Sequence, residues 1–491
     1  VDDVFDLAVI GGGVNGAGIA RDAAGRGATV LLLEAGDLAG GTSSASTKLI
    51  HGGLRYLEHY EFALVRESLG ERERLWAIAP HIIWPMRFVL PYVKGLRPVW
   101  LLRLGLWLYD HIGGRRLLPK TRTVALERHP AGAPLRDGHA AGFEYSDCWV
   151  DDARLVVLNA VDAAEHGATV LTRTPMTAAR REGEHWLIET PAGQFRASAL
   201  INAGGPAVTT VLGAISEPTD FAMRLVRGSH IVVRKLFDHS YAYFFQLPDG
   251  RIFFAIPYEE QFTLIGTTDA EHNGPLDHVE ASAAEIEYLC EGVNRYFAHA
   301  ITPADVVWSF AGVRPLIDDG SGRPEAATRG YRLDLSAPDE GAPLLSVYGG
   351  KITTYRHLAE EAVDLLAPRL TALSGPAWTA SRPLPGGDFA VDGVRELAAQ
   401  LQALHPFLTD HEALRIARAY GTRAHDWLGD AKDRADVGID FGAGLSQAEV
   451  DYLRRVEWAR TAEDVLWRRT KMGLRLDAAQ VAGLADYLAD A

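Results

Sequence analysis

The sequence predicts an α/β fold in which a Rossmann-like domain is joined to an antiparallel β-rich domain and followed by a C-terminal helical domain. Three observations predict it. "LAVIGGGVNGAGIARDAAGRGATVLLLEA", Leu7 to Ala35, reads as strand, glycine turn, helix and strand, the opening βαβ unit of a dinucleotide fold. "YAYFFQLPDGRIFFAIPYEEQFTLIGTTD", Tyr241 to Asp269, has short β-rich runs broken by Pro-Asp-Gly and Glu-Glu-Gln, which read as antiparallel hairpins. Beyond the Pro/Gly-rich bridge "SGPAWTASRPLPGGD", Ser374 to Asp388, the pattern is helical to the end.

Between these landmarks the elements follow in order. A helix–strand passage from Leu155 to Thr174 is expected to rejoin the first sheet, and "ALINAGGP", Ala199 to Pro206, reads as a strand ending in glycines. The apolar "LLSVYGGKITTYRHLAEEAVDLL", Leu344 to Leu366, restores strand, turn and helix, so residues distant in sequence close the first domain. That domain is therefore expected to be discontinuous, over about 1–90, 146–220 and 330–375, with the β-rich domain over about 221–330 and the helical domain over 376–491.

Composition narrows the function classes. With 47% apolar and 23% charged residues the chain is ordinary globular protein, and a net charge of -15 argues against non-specific nucleic-acid binding. An anionic ligand would need a local cluster of cations. Cys148 and Cys290 lie far apart, giving neither a disulfide framework nor a zinc pattern, so no metal is expected and a reducing cytoplasmic setting fits. The acidic N-terminus enters a strand at once, which predicts no secretory signal. The longest apolar tract, Val99 to Tyr109, is interrupted by Arg103 and falls short of the roughly twenty residues that a spanning helix needs.

Gly11, Gly13 and Gly16 form G-x-G-x-x-G between strand and helix, and Glu34 ends the second strand. Such glycines allow a tight turn and close approach of backbone to pyrophosphate, the helix N-terminus adds partial positive charge, and the acid accepts ribose hydroxyls while repelling a 2′-phosphate. This much does not separate nicotinamide from flavin. A second glycine turn, Gly349-Gly350-Lys351, opens a helix whose dipole could stabilise negative charge on a reduced flavin, or it could simply cap strand against helix. "SSASTKLIHGGLRYLE", Ser43 to Glu58, crowds donors and bare backbone into one place, as expected of wet surface or the wall of a polar ligand site.

That polar segment, directly after Glu34 and "AGDLAGGT", resembles the one that crosses the flavin in the D-amino-acid-oxidase-like superfamily. The likeness is closer still. "GTSSASTKLIHGGLRYLEHYEF", "GFEYSDCWVDDARL", "GSHIVV", "IGTTD", "GVRPL" and "GGKITTYRHLAE", in that order, resemble the aerobic, FAD-dependent glycerol-3-phosphate dehydrogenases of bacteria, from Asp6 into the C-terminal "DVLWRRTKMG". The resemblance implies oxidation of sn-glycerol 3-phosphate to dihydroxyacetone phosphate by hydride transfer from C2 to flavin N5, with electrons passed to membrane quinone. It implies FAD, held noncovalently because neither cysteine lies in a flavin motif. On the glycine turn and the first strands, Gly11, Gly13, Asn15, Gly16 and Glu34 would meet the cofactor. The crossing segment would add Thr42, Ser43, Ser44, Lys48, His51 and Gly52, and the distant turns Gly204, Gly350, Lys351 and Thr353. Glycerol 3-phosphate is close to a dianion at neutral pH, so Arg55, Arg314 and Lys351, each in a matching motif, are its expected cations, with Tyr56 and Thr268 beside them. A base must also take the hydroxyl proton. His230 is the first choice and His51 the second.

The segment from Tyr92 to Lys120 sets Lys94, Arg97, Arg103, Arg115, Arg116 and Lys120 against Asp110 alone, with Trp100, Trp107 and Tyr109 among its leucines. That mixture is expected of a helix bedded in an anionic bilayer interface, Trp100, Leu101, Leu104, Trp107 and Leu108 facing the acyl boundary. Together with the membrane-bound, quinone-reducing character of the family, it implies a peripheral enzyme on the cytoplasmic face of the inner membrane. A homodimer is left open. Rival readings are a glycerophosphate oxidase that reduces oxygen to peroxide, a non-catalytic flavin-binding membrane adaptor and a nicotinamide dehydrogenase.

Overall fold

The computed structural model describes residues 4–93, 98–113, 117–318, 330–338 and 341–490. Two sheets organise the first part of the chain. The first runs in the order β17 (Tyr331–Ser336), β18 (Leu344–Gly349), β10 (Gly193–Asn202), β1 (Val4–Ile10), β2 (Val30–Leu33) and β7 (Thr169–Leu171), with the hairpin β8 (Ala178–Glu182) and β9 (His185–Thr190) attached to β10. Its centre, from β18 to β7, is parallel. Both faces are therefore covered: α1 (Val14–Gly25), α4 (Asp152–Glu165) and α7 (Tyr355–Leu366) pack one with Ala, Val and Leu, and α5 (Val208–Ala214) packs the other. The passage after Leu155 rejoins this sheet as expected, and Leu344–Leu366 closes it from afar.

The second sheet runs β15 (Ala270–Glu271), β11 (Met223–Arg234), β14 (Phe262–Gly266), β13 (Ile252–Tyr258), β12 (Ala242–Gln246), β4 (Ile83–Pro91), β6 (Ala141–Val150) and β3 (Leu49–Ile50), with β16 (Val306–Ile317) on β11 and β5 (Arg122–Ala125) on β6. The hairpins β12–β13–β14 form as the sequence predicts. The boundaries change, however. Ile83–Pro91, Ala141–Val150 and Leu49–Ile50, assigned by sequence to the dinucleotide domain or left beside it, are strands of this second sheet, because β4 finds its hydrogen-bond partners in β6 and β12. α6 (Ala283–Tyr296) covers one face against an aromatic cluster that includes Phe245 and Phe253, and α2 (Phe62–Ile78) and α3 (Val99–Ile112) cover the other.

α3 is the docking helix of the sequence reading. Trp100, Leu101, Leu104 and Trp107 are exposed along it, Trp100 by 66%. Leu108 does not join them, because the 100° step per residue turns it back onto the core beside Leu106 and Tyr109. Arg103 is exposed, whereas Lys94, Arg97, Arg115 and Arg116 lie outside the described residues.

The C-terminal part is helical, as expected, with α8 (Val394–Leu404), α9 (Asp410–Tyr420), α10 (His425–Leu428), α11 (Gln447–Glu457) and α12 (Ala478–Asp490) around one apolar core. Buried charges bind it to the first sheet. Arg154 of α4 pairs with Glu457, and Arg469 and Arg468 both reach Asp37, just beyond β2. Trp467 stacks on Trp308 of β16 with ring centres 4.2 Å apart.

Candidate active site

Two of the three motif glycines are demanded by the protein itself. At Gly11, with φ +110°, a Cβ would stand 2.5 Å from the Ala203 carbonyl oxygen, and at Gly16 it would stand 1.9 Å from the Gly11 carbonyl oxygen. Strand, helix and the end of β10 meet there at backbone contact. Gly13 differs. It is the N-cap of α1 without a side-chain cap, and a Cβ would meet only Ser43 Oγ, at 3.2 Å. The Val14 N–H donates to that Oγ at 3.0 Å, so Ser43 holds the helix start while Gly13 keeps its outer face bare.

Glu34 accepts from the Gly12 N–H at 2.6 Å and from the Gly36 N–H at 2.7 Å. Burial pushes its carboxyl above the ordinary value and those amides pull it back. A carboxylate has about four acceptor sites, so those amides leave capacity for a diol. Asn15 turns its Nδ2 to the Gly349 carbonyl at 3.2 Å, and its buried Oδ1 has no hydrogen-bond partner among the described residues.

The crossing segment is held from beneath. Thr42 Oγ1 donates to the Val313 carbonyl at 2.6 Å, and Ser44 Oγ makes a long bond to the Gly41 carbonyl. Lys48, expected to meet the cofactor, does not stand in an open site. Its ammonium is fully enclosed, donating to Asp152 Oδ1 at 2.6 Å and to the Ser44 carbonyl at 2.9 Å, with the Phe310 ring 5.1 Å away. A buried lysine takes the nearest carboxylate, and here that is the first residue of α4. Ser46 binds the same Asp152 through N–H and Oγ. The His51 N–H then reaches Thr353 Oγ1 at 3.3 Å, tying the segment to the turn after Gly350. Gly204 is fixed by Asn202 Oδ1.

Arg314 and His230 come from the β11–β16 pair. Arg314 Nη2 donates to the Thr268 carbonyl at 2.6 Å and pairs with Asp269 Oδ1 at 2.8 Å. It can lie there because Gly228 has no side chain; a Cβ would be 2.5 Å from Nη2. The Thr268 hydroxyl, expected at the substrate, is committed elsewhere. A hydroxyl has one proton to donate, and this one goes to Glu285 Oε1 at 2.7 Å while the oxygen accepts from the Ser229 N–H. Burial works against the Glu285 charge, yet bonds from Ser282, Thr268 and Ser229 hold its carboxyl below the ordinary value.

His230 stacks on Phe310 at 4.8 Å, shares a 3.0 Å hydrogen bond through Nε2 with Thr47 Oγ1, and has no partner for Nδ1 among the described residues. Burial, then the charges of Lys48 and Arg314, drive its pKa well below 6.5, so the ring is a neutral imidazole. Lys351 follows the Gly349–Gly350 turn, and its Nζ lies 3.8 Å from the centre of the Tyr56 ring. That ring covers Gly53, whose φ is +73° and whose Cβ would be 2.1 Å from it. A Cβ on Gly350 would press on Asn15 and one on Gly349 would lie 3.6 Å from the Pro315 carbonyl, so α1, Lys351 and the strand of Arg314 converge on this turn. The side chain of Arg55 lies outside what the structure describes. Thr47, Asp152, Asp269 and Glu285 were missed by sequence reading. The first three lie inside or beside the quoted motifs, while Glu285 had only its place as the fourth residue of a Ser-x-x-Glu helix start.

The sequence profile of the FAD dependent oxidoreductase family (DAO) matches residues 6–356, and that of the C-terminal domain of alpha-glycerophosphate oxidase matches residues 377–490. The D-erythritol 1-phosphate dehydrogenase of Brucella abortus (strain 2308) is 52% identical over 100% of this chain and 98% of its own. The glycerol-3-phosphate dehydrogenase of Pseudomonas aeruginosa is also 52% identical, over 99% of this chain and 95% of its own. The aerobic glycerol-3-phosphate dehydrogenase of Escherichia coli (strain K12) is 49% identical, over 99% and 97%. Among solved structures, that of the glycerol-3-phosphate dehydrogenase from Bacillus halodurans complexed with FAD superposes with a TM-score of 0.77 at 26% identity, over 100% of this chain and 91% of that one.

The residues fit that cofactor: a bare helix start at Gly13, a carboxylate with acceptor capacity left at Glu34, and at Asn15 a buried amide oxygen without a partner among the described residues. The two glycines should accordingly fail differently. Gly16→Ala drives a methyl into backbone and should abolish soluble protein or lower the melting temperature sharply, whereas Gly13→Ala should fold normally and purify with about tenfold weaker FAD retention, read from the flavin-to-protein absorbance ratio. A glycine turn built for close approach, within two profiles that together span almost the whole chain, places this protein in the FAD-dependent oxidoreductase family.

Proposed function

We propose that this chain oxidises the secondary hydroxyl of sn-glycerol 3-phosphate to dihydroxyacetone phosphate and passes the electrons to membrane quinone. The observation that carries the reading is the convergence at Gly349–Gly350, where Lys351 and the strand of Arg314 meet the start of α1 in a chain of net charge -15. Two relatives at 52% and 49% identity, named as dehydrogenases of that substrate, support it. When bound, FAD supplies N5 as the acceptor of the C2 hydride. Lys351, Arg314 and Arg55 meet the phosphate. Arg314 enters already paired with Asp269, so its guanidinium is oriented before substrate arrives, and the carboxylate keeps the site from being over-charged when empty. His230, neutral and with Nδ1 unpartnered among the described residues, takes the hydroxyl proton, and the incoming dianion offsets the cost of the imidazolium. His51, whose backbone is tied to Thr353, is the alternative base.

A second reading has its own support. The Brucella abortus relative is named for D-erythritol 1-phosphate, a longer polyol phosphate with the same charged end, and it is as similar as the Pseudomonas aeruginosa one. Anaerobic titration decides between them: sn-glycerol 3-phosphate should bleach the flavin at lower concentration than D-erythritol 1-phosphate, and the reverse order would transfer the function to the longer substrate. Bleaching by neither would overturn both. Reoxidation of the reduced protein should be faster with a quinone analogue than with oxygen, the opposite result favouring an oxidase.

Lys351→Ala should raise the half-saturating substrate concentration about tenfold or more, the loss of one charged contact, while FAD content changes little. Because the pKa of His230 is depressed, its basic form persists as pH falls below 6.5. The rate of bleaching should therefore show no fall centred on pH 6.5, and the limiting rate should drop about a hundredfold in His230→Asn. A rate that falls through 6.5 would instead point to a group with ordinary histidine titration.

The reading includes attachment to an anionic bilayer on the cytoplasmic face. No helix among the described residues is long and apolar enough to cross a membrane. α3 instead presents Trp100, Leu101, Leu104 and Trp107 outward beside exposed Arg103. Trp100→Ser with Trp107→Ser removes two side chains worth about 1.5–3 kcal/mol each if fully buried in lipid, so co-sedimentation with anionic vesicles should fall at least about tenfold. Flavin reduction in solution should be unchanged.

A further inference from the structure

The inner side of α3 carries one polar group that neither the membrane reading nor the site has absorbed. Tyr109 is 2% exposed. Its hydroxyl donates to Asp147 Oδ1 at 2.7 Å, with Oδ2 at 2.9 Å, and its oxygen accepts from the Gly52 N–H at 2.7 Å. Asp147, on β6, is balanced by Arg72 of α2, which donates to it at 2.6 Å and to the Ser146 carbonyl at 2.8 Å. Burial, then the neighbouring Asp147, keeps the phenol protonated, so its single proton stays with the carboxylate and its lone pair stays open to Gly52. Gly52 has no room for a side chain: a Cβ would lie 2.4 Å from Leu69 and 2.8 Å from Tyr109 Cε2. The next residue, Gly53, begins the short helix Leu54–His59 that carries Arg55 and Tyr56, and the Tyr56 N–H donates to the Gly53 carbonyl at 2.8 Å. The Tyr56 ring in turn lies against Lys351.

We propose that Tyr109 is a positioning residue of the substrate site: by gripping the Gly52 amide from α3 it sets the turn that places Tyr56 beside Lys351. This rests on the reading that those residues meet the substrate phosphate. The phenol is the only polar side chain that Val99–Tyr109 turns into the core among the described residues, and it spends its one donor and one acceptor on two different elements. An apolar ring of the same size would pack equally well but would leave both the Gly52 N–H and an Asp147 oxygen without this partner. Conservation of packing therefore does not explain it. Positioning does.

The test uses the holoenzyme. In Tyr109→Phe the half-saturating concentration of sn-glycerol 3-phosphate for anaerobic flavin bleaching should rise about tenfold, with the limiting rate and FAD content within about twofold of the parent. Hydrogen exchange across residues 49–60 should quicken by a similar factor. Leu106→Ala, on the same helix and in the same core, should lower the melting temperature yet leave half-saturation unchanged. The proposal falls if Tyr109→Phe keeps the parent half-saturation, or if Leu106→Ala raises it as much. Should Tyr109→Phe not fold, the parent alone decides: the Gly52 amide must be among the slowest to exchange within 49–60, and rapid exchange there overturns the proposal. If the parent flavin is bleached by neither polyol phosphate, the functional reading fails, while the exchange comparison still decides whether Tyr109 holds the turn.

Discussion

The pairing of Lys48 with Asp152, both wholly buried, is the contact on which the rest of the site depends. Asp152 opens α4, a helix packed beside α1 on one face of the parallel sheet, so its carboxylate is fixed by the Rossmann-like core. Through that one carboxylate the chain secures the backbone at Ser46 and the ammonium of Lys48, and Lys48 secures the Ser44 carbonyl. Breaking a buried ion pair on one side costs about 3–5 kcal/mol, because the remaining charge has nowhere to go. Everything downstream inherits the placement: Thr47 for His230, His51 for Thr353, Gly52 for Tyr109 and Gly53 for Tyr56.

The same economy appears at the C-terminal domain. Asp37 follows Glu34 by three residues and takes both Arg468 and Arg469. Arg173, whose N–H binds the Gly36 carbonyl, pairs with Asp464 of the same C-terminal segment. The helical domain is thus fastened to the loop that follows Glu34, by charges that need one another because they are buried. Its own apolar core touches that of the first sheet through Val456, with Trp458 also packed on the first-sheet side.

Acidic composition and the proposed anionic substrate are reconciled by local pairing. Arg314 is steadied by Asp269 and the Thr268 carbonyl, and Thr268 is steadied by Glu285, whose charge is already satisfied by Arg227, Ser229 and Ser282. Each carboxylate near the site has partners of its own. On the proposed function a dianion would therefore meet oriented cations, with the surrounding negative charge spent on holding them.

The sequence by itself determined the glycine turn, Glu34, the hairpins after Tyr241, the helical end and the segments that build the site, because each is written in local spacing: period two, period three to four, or glycine at backbone contact. Of the expected site residues, Asn15, Ser43, Arg314 and Lys351 come together around α1 and the Gly349–Gly350 turn. Only the tertiary structure decided that Ile83–Pro91 and Ala141–Val150 belong to the second sheet, that Leu108 turns inward, and that Lys48 and the Thr268 hydroxyl are spent on Asp152 and Glu285. Tyr109 shows why. Its place in an apolar helix was legible, but its partners, Gly52 and Asp147, lie 57 and 38 residues away, and periodicity says which face a residue takes without saying what stands opposite.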